Sequence, residues 1–567
     1  MGDNIFDSFD GSAAGADGQV QWSARAPFRP SADFDLMLVP RVADWQSSAE
    51  ARAALERIEA DPRVESVLER EGQVRVRLAT DWFEQEAAAL EDGAQRRAAH
   101  ADLAADRRYA VYFWGANTTK ALHIGHLRNL AIGNAIGASL TQAGARVEHR
   151  SLICDVGRSM GEAMAGVVER SGSDQPNWGP EGEEKSDHFV GACYSSYVQA
   201  SRAGDANGEG DGAEDSVARE EALYNDKADE LMMRVLGGDQ PALELWSKTR
   251  AWVISGQRKT LARLGISFDK VIFESDFLPE VRELTNQGLS EGKLTRRAGD
   301  SMVMYETRRE ELEQMPLVRA DGLPTQHMRA LAYWSAAPEL DDVISLQVCG
   351  TEWVSHVTCR RQLIDALEAA NGNGHGSAKG GGPPTHDVFH GMVARERQAI
   401  TSSKEGALLI DDLVEWLEGE IEADPERAAV RRDHPAPDRI ASQVAVGYFL
   451  LQPNSKRVDF EPSKLLVGDK GSIGWDLALA QARRGGAATP AGARPGEDPD
   501  YRFAVLQSQM YRRHLSASIE DFDVAPLARY LSHFARWYRE AERSPEVERV
   551  AQAVFEQGVR GLGLEAV

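Results

Sequence analysis

His123 and His126 flank Gly125 in the string Gly115-Ala116-Asn117-Thr118-Thr119-Lys120-Ala121-Leu122-His123-Ile124-Gly125-His126-Leu127-Arg128-Asn129. Two imidazoles on either side of a glycine can donate to phosphate oxygens as negative charge builds there, while the glycine lets a nucleotide approach the backbone. The string lies between a short apolar run, Ala110-Val111-Tyr112-Phe113-Trp114, and a long helix-compatible stretch. A helix that starts at this point offers unpaired N–H groups and the positive end of its dipole to an anion. Outside that setting the same histidines read as satisfied core residues. Lys120 adds a cation just ahead of the pair, and a second basic residue, Lys404, stands in the polar string Ile400-Thr401-Ser402-Ser403-Lys404-Glu405-Gly406. Taken alone, the second string reads as an ordinary polar turn.

These side chains need a scaffold to bring them together. The apolar run, the helix after Gly125 and a second apolar segment at Val147 to Ile153 predict a parallel βαβ unit, which binds ligands at its strand C-termini. The expected fold class is therefore α/β, with a catalytic domain over residues 109–425. Before it, residues 26–108 read as a small α+β module, with a helix-like Ser48 to Ala60 and an alternating strand at Gln73 to Leu78. Residues 1–25, rich in Asp, Gly, Ala and Ser, have the composition of a disordered tail. From 426 to 567 the periodicity is helical, as in Ile440 to Leu451 and Leu527 to Tyr538. Ser201 to Asp215, Asn371 to Pro384 and Gly485 to Asp500 read as loops.

The 567 residues suffice for two or three domains, and 42% hydrophobic with 27% charged residues is a globular composition. The sequence holds no apolar run of membrane-spanning length, the start lacks a signal peptide, and Phe6 stands where a myristoylation signal needs Ser or Thr, so a cytoplasmic protein is expected. Cys154, Cys193, Cys349 and Cys359 show no CxxC spacing, which signals neither a disulfide framework nor a zinc site, and no metal ligands are assigned. A net charge of −25 argues modestly against tight binding of a polyanion, although a local basic face is compatible with it.

The string around His123 closely resembles the HIGH region of class I aminoacyl-tRNA synthetases, and 400–406 resembles the mobile KMSKS loop in its arginyl form, with Lys404 in an arginine position and Glu405 where a second lysine belongs. Further blocks resemble the arginyl-tRNA synthetase family in order: Asp155-Val156-Gly157-Arg158, Asp187-His188-Phe189-Val190, Leu264 to Asp269 with Glu274-Ser275, Val348-Cys349-Gly350 with His356, Asp411-Asp412-Leu413, and Val458-Asp459-Phe460. The resemblance covers most of the chain from about residue 70. It implies a Rossmann-like class I catalytic domain and an all-α C-terminal domain like the DALR anticodon-binding domain.

The resemblance also implies ATP with Mg²⁺ and an amino acid as reactants. His123, His126, Lys120 and Lys404 are then catalytic. Gly125, Gly350, His356, Met392, Val393, Ser402 and Ser403 hold ATP, and Asn117, Glu274, Gln326, Ala330 and Trp353 line the amino-acid pocket. A lysine ahead of the HIGH string accompanies loss of the loop lysine in some family members, which makes Lys120 the compensator for Glu405. Three departures bear on substrate. Gln326 and Ala330 replace the tyrosine and aspartate of the family's P-T-Y-x-x-x-D-I-A block, and Trp353 replaces a glutamine, leaving a guanidinium fewer acceptors. At the DALR helix start, Ile473, Gly474 and Leu477 replace aromatic and amide readers of unpaired bases, although Trp537 and Tyr538 remain as stacking or core residues. The expectation is adenylate formation followed by acyl transfer to a small amine. The alternatives are charging of the arginine tRNA and a catalytically silent regulatory paralog. A monomer is expected.

Overall fold

The computed structural model describes residues 4–6, 9, 22–27, 29–40, 45–70, 73–172, 179–180, 184–204, 227–309, 312–336, 343–370, 385–395, 398–399, 408–468, 471–482, 494–541 and 544–564. Of the segments read as loops, 205–215, 371–384 and 485–493 lie outside these residues, while 495–497 form a 3-10 turn and the helix Pro499–Glu520 begins before Asp500.

Strands β1 (Trp22–Arg25), β2 (Leu36–Pro40), β3 (Val64–Arg70) and β4 (Gln73–Leu78) make an antiparallel sheet in the order β1-β2-β4-β3. In β4 the alternation seen in the sequence buries Val74, Val76 and Leu78 and turns Arg75 and Arg77 outward. Helices α1 (Ala49–Glu59) and α2 (Thr80–Glu91) cover the buried face with Ala51, Ala54 and Ile58, and with Phe83, Ala87 and Leu90. Part of the segment expected to be a disordered tail belongs to this core. Ile5, Phe6, Phe9 and Trp22 are buried in it, and the Asn4 amide donates to the carbonyl of Gln509 at 2.7 Å. Scattered aromatic residues in a Gly- and Asp-rich stretch suffice to anchor it, because each large ring buries as much surface as several small residues leave exposed.

The central region is a five-stranded parallel sheet in the order β12-β11-β5-β6-β7. Strand β5 (Arg108–Tyr112) leads through α3 (Ile124–Gln142) to β6 (Arg146–Ile153), which pairs with it in register from Arg108↔Arg146 to Tyr112↔Arg150. Helices α4 (Arg158–Ser171), α5 (Ser186–Gly204) and α6 (Gln240–Leu264) precede β7 (Lys270–Phe273). A small antiparallel sheet, β8 (Thr295–Arg296), β9 (Val303–Arg309) and β10 (Leu312–Val318), and helix α7 (Gln326–Ala336) follow. The chain then returns on the other side of β5 with β11 (Ile344–Gly350), α8 (Val354–Ala370) and β12 (Thr385–His390). Because β5 has β6 on one side and β11 on the other, the strand order reverses there, which is where sheets of this topology bind ligands beyond the strand carboxyl ends. The HIGH-like string and Gly350 lie at those ends.

Helix α9 (Ile410–Ala423) leads into the C-terminal helices α10 (Ile440–Leu450), α11 (Ile473–Ala482), α12 (Pro499–Glu520), α13 (Ala525–Glu540) and α14 (Pro545–Gly561). One hydrophobic cluster runs from Tyr109 and Val111 of the sheet through Leu130 and Ile136 of α3 to Phe449, Leu531 and Phe555 of these helices. The helix start read as facing an anticodon is interior, since Ile473, Gly474, Trp475, Asp476 and Leu477 are all buried and Ser532 donates to the Asp476 carboxylate at 2.5 Å. Tyr538 is buried too, and Trp537 packs on Phe503 and Phe534, so the aromatic pair is core. Among the described residues no helix is long and apolar enough to cross a membrane.

Candidate functional site

The sheet delivers β5 to the turn at Gly115, and α3 begins nine residues later at Ile124. His123 is the N-cap of that helix: its Nδ1 accepts from the Gly125 N–H at 3.1 Å, while the His126 Nδ1 accepts from the His123 N–H at 3.2 Å. This reciprocal box satisfies two helix-end donors with imidazoles in place of the usual hydroxyl and carboxylate. It also fixes the tautomer. A ring nitrogen that accepts from a backbone N–H carries no proton, so in each neutral ring the proton is on Nε2, which is left as a donor. The rings stack with centroids 3.8 Å apart. Burial, then the Lys120 charge, lower the His126 pKa to about 3, and burial, His126 and Lys120 hold His123 well below the usual histidine range. Both are neutral donors at pH 7.

The turn between β5 and α3 is pinned from three sides. Thr118 bonds the carbonyl of Cys154 through both N and Oγ1, at 3.2 and 3.1 Å. The Asn129 amide donates to the Phe113 carbonyl at 2.6 Å. The buried amide of Gln257, on α6, donates to the carbonyls of Asn117 and Lys120 at 3.2 and 2.8 Å. Gln257 was not singled out in the sequence, where nothing distinguishes it from any other helical glutamine. Lys120 lies with its ammonium over the Tyr194 ring at 5.2 Å. Burial lowers its pKa to about 8 against the opposing pull of Glu162. Its charge bears on both histidines.

A backbone zipper joins this turn to the segment leaving the second motif. The Ile124 N–H donates to the Leu408 carbonyl and the Ile410 N–H to the Leu122 carbonyl, both at 3.0 Å, with His123 and Leu409 facing as an antiparallel bridge. Ser402, Ser403 and Lys404 themselves lie outside the described residues.

On the other flank, Gly350 ends β11 with the Glu352 carboxylate directly over it. A Cβ there would stand 2.2 Å from both carboxylate oxygens, so a larger residue would displace the Glu352 side chain. His356 stacks on His327 at 4.4 Å, and Trp353 packs edge-on against both rings. Met392 is exposed and Val393 buried. The Met392 carbonyl accepts from the Val458 N–H, which pairs this strand (Val393–Arg395) with the Val458-Asp459 block named from the sequence.

The amino-acid side of the resemblance centres on Glu274, at the end of β7. Its buried carboxylate takes a hydrogen bond from Nε of Arg329, a fully buried residue of α7, at 2.8 Å. Arg329 also donates to the Pro324 carbonyl and reaches the Cys154 sulfur at 3.2 Å. Cys154 in turn is tied to Thr118, beside half-buried Asn117, so Asn117, Glu274 and the Ala330 neighbourhood are connected through Arg329. Ala330 is buried and Gln326 half-buried at the start of the same helix. The Asp155-Val156-Gly157-Arg158 block is a buried network: Asp155 accepts from Ser275 N and Oγ and from Arg250, and Arg158 pairs with Glu162 and Asp229.

Among the described residues one group of ligand-type side chains lies close enough to hold a cation. Asp187, His188 and Asp411 have candidate ligand atoms within 4.8 Å of one another. The Lys185 ammonium already sits there, 3.0 Å from Asp187 and 2.7 Å from Asp411. These residues do not fit a protein-held Mg²⁺, and no step is derived through one. The four cysteines are free thiols.

No family model matches the chain. It is 28% identical to the arginine–tRNA ligase of Amoebophilus asiaticus over 402 residues, 66% of this chain and 62% of the relative. It is 24% identical to that of Borrelia hermsii over 357 residues, 61% of this chain and 56% of the relative. Against the Treponema denticola enzyme it is 26% identical over 463 residues, 76% and 72%. The chain thus spans about half to three-fifths of the length of the first of these relatives. Among solved structures it is similar to the Thermus thermophilus arginyl-tRNA synthetase, with a TM-score of 0.65, 19% identity and 99% of each chain covered. The Plasmodium falciparum arginyl-tRNA synthetase gives 0.63 and 14%, covering 99% of this chain and 98% of that one. The parallel sheet with a histidine-capped helix at its switch point lies in a fold similar to that of the Thermus thermophilus enzyme. The sequence similarity runs to arginine–tRNA ligases, and the fold is shared with arginyl-tRNA synthetases of known structure.

Proposed function

We propose that the chain activates an amino-acid carboxylate with ATP and passes the acyl group to a tRNA. The observation that carries this reading is the pair of neutral histidines whose Nδ1 atoms are committed to the α3 backbone. A carboxylate oxygen attacks the α-phosphorus in line, the bond to pyrophosphate breaks, and the leaving group departs with the electron pair. The Nε2–H donors of His123 and His126 are preorganised for charge that grows on the phosphate oxygens in the transition state. Lys120 and Lys404 are assigned to the departing pyrophosphate, with Mg²⁺ arriving on ATP as part of the substrate. Gly125, Gly350, His356, Met392, Val393, Ser402 and Ser403 are assigned to ATP. Asn117, Glu274, Gln326, Ala330 and Trp353 are assigned to the amino acid.

The acceptor named in the relatives is a tRNA, and no observation supports the small amine favoured on the sequence, so the tRNA is adopted here. Arginine is the amino acid of those relatives. In this chain Glu274 already bonds Arg329, and Gln326 and Ala330 supply no carboxylate. Both facts support weaker discrimination for a guanidinium, because a permanent buried charge needs charged acceptors. The test is pyrophosphate exchange and AMP release with each amino acid, with and without tRNA. Exchange with at least one amino acid, and acylated tRNA as product, is expected. A folded protein silent with all twenty, tRNA present, overturns the reading.

A further inference from the structure

Asp411 follows directly on the zipper that joins Leu408–Ile410 to the histidine turn, in the first turn of α9. It is buried while its neighbour Asp412 is exposed. Three groups, from two other helices and the residue ahead of one of them, converge on its carboxylate. Lys185, just ahead of α5, approaches to 2.7 Å, His188 Nε2 to 3.1 Å, and the Thr260 hydroxyl of α6 to 3.2 and 3.1 Å from the two oxygens. Lys185 also bonds the Thr260 oxygen and the fully buried Asp187. Space for Asp187 exists because α6 has Gly256 opposite it: a Cβ there would lie 2.2 Å from the Asp187 carboxylate. Burial pushes the Asp411 pKa up, but the bonds from His188 and Lys185 outweigh it and hold the group at about 2. The bond to Asp411, against burial, raises that of His188.

We infer that Asp411, held by Lys185, His188 and Thr260, is a positioning residue for the catalytic histidines: it fixes the Leu408–Ile410 segment whose two backbone hydrogen bonds set the turn at His123. Its shortest route to the histidine turn is through Ile410 and the zipper, one residue away, and Thr260 shares α6 with Gln257, whose amide bonds the same turn. A carboxylate bonded by a lysine, an imidazole and a hydroxyl from two helices defines one position for α9, because charge-assisted bonds in a buried setting are short and strong and tolerate little displacement. The zipper adds the register. It joins residues 122 and 124 to 408 and 410, so a shift of α9 strains the N-cap in which His123 and His126 hold each other.

The inference rests on the adenylate-forming reading for its kinetic consequence, and its structural part is read independently. The experiment compares Asp411→Asn and Asp411→Glu with the full-length wild-type chain. In amide hydrogen exchange, Asp411→Asn is expected to speed exchange at Ile124 and Ile410 at least tenfold while residues from Ala131 onward in α3 are unchanged. In pyrophosphate exchange its kcat is expected to fall at least tenfold with less than a twofold change in KM for the amino acid, and Asp411→Glu to recover part of the loss. In a His126→Ala background Asp411→Asn is expected to have little further effect, since both changes act on one group. Should Asp411→Asn fail to fold, Thr260→Val removes one of the three bonds and is read the same way. Unchanged exchange at Ile124 and Ile410, or a loss that simply multiplies with that of His126→Ala, overturns the inference. Altered hydrogen exchange in a protein whose wild type activates no amino acid leaves the anchor standing and removes the functional reading.

Discussion

At the scale of single residues, the two histidines act through what their Nδ1 atoms have given up. Each accepts a backbone N–H, so each can only donate from Nε2, and burial keeps both rings neutral at working pH. His123→Ala and His126→Ala should each lower adenylate formation by more than tenfold, a loss of more than about 1.4 kcal/mol in transition-state stabilisation. Steady-state pyrophosphate exchange measures it, and unchanged turnover in folded His126→Ala sinks the assignment. The same burial gives a stability prediction with a definite sign. Between the ordinary histidine pKa of 6.5 and the folded value of about 3, the unfolded chain binds a proton that folded His126 refuses. The unfolded state then holds more protons, so stability rises with pH, is complete above about 6.5 and is lost as pH falls toward 3. His100, His390 and His514, each lowered to about 4 by burial, add to the same slope. Urea midpoints at pH 5 and pH 7 should therefore differ, and His126→Gln, which cannot titrate, should narrow the difference. An equal gap in wild type and variant contradicts the burial argument.

At the scale of elements, the turn before α3 works as a unit because Gln257, Thr118 and the zipper hold it from different sides. Lys120 belongs to that turn, and its position tests the compensation argument. With Glu405 in place of a second loop lysine, Lys120→Ala should cost far more activity than a surface lysine change, and Glu405→Lys in that background should restore part of it. No rescue in a folded double variant removes the case for compensation. This strand, turn and helix were legible in the sequence, because an apolar run, a glycine and a helical pattern in succession have few other physical readings. The alternation in β4 was legible for the same reason. Gln257 was not, and Asp411, although it stands in a block that resembles the family, gave no sign of its contacts, since the partners of the two lie 137 and 226 residues away. The segment 473–478 misled in a different way. Its residues were compared with readers of bases, whereas their apolar character reflects burial against α10 and α13. Likewise the composition of residues 1–25 concealed Phe6, Phe9 and Trp22, whose side chains decide where that stretch packs.

At the scale of the whole molecule, the three regions drawn along the sequence share hydrophobic core and hydrogen bonds. The catalytic sheet and the C-terminal helices share one hydrophobic cluster. Asn134, Ser139 and Gln142 on the outer part of α3 bond the carbonyls of Gly563, Gly561 and Gln557, while Arg128 on the inner part bonds those of Gly391, Pro453 and Asn454. Among the described residues the N-terminal module meets α12 through apolar contacts of Tyr501, Val505 and Leu506, the Asn4–Gln509 bond and a buried ion pair between Asp35 and Arg502. Arg502 Nε donates to Asp35 at 2.8 Å, its Nη2 bonds the same carboxylate and the Leu78 carbonyl, and its Nη1 bonds the Gly496 carbonyl, with the Phe83 ring 4.1 Å beneath the guanidinium. Both partners are almost completely buried. Removing Arg502 leaves the buried Asp35 charge with only the Leu78 N–H and Arg77, 3.9 Å away, whereas replacing both partners leaves apolar contact, and these outcomes differ in energy. Arg502→Met should cost about 3–5 kcal/mol, enough to release the module and expose Trp22, Phe6 and Phe9. Asp35→Leu with Arg502→Met should recover most of that loss. The measurement is urea unfolding followed by tryptophan fluorescence, with limited proteolysis near residue 30 as a second readout. Equal destabilisation in the single and double variants means that the pair's hydrogen bonds to Leu78 and Gly496, rather than its charge balance, hold the module in place.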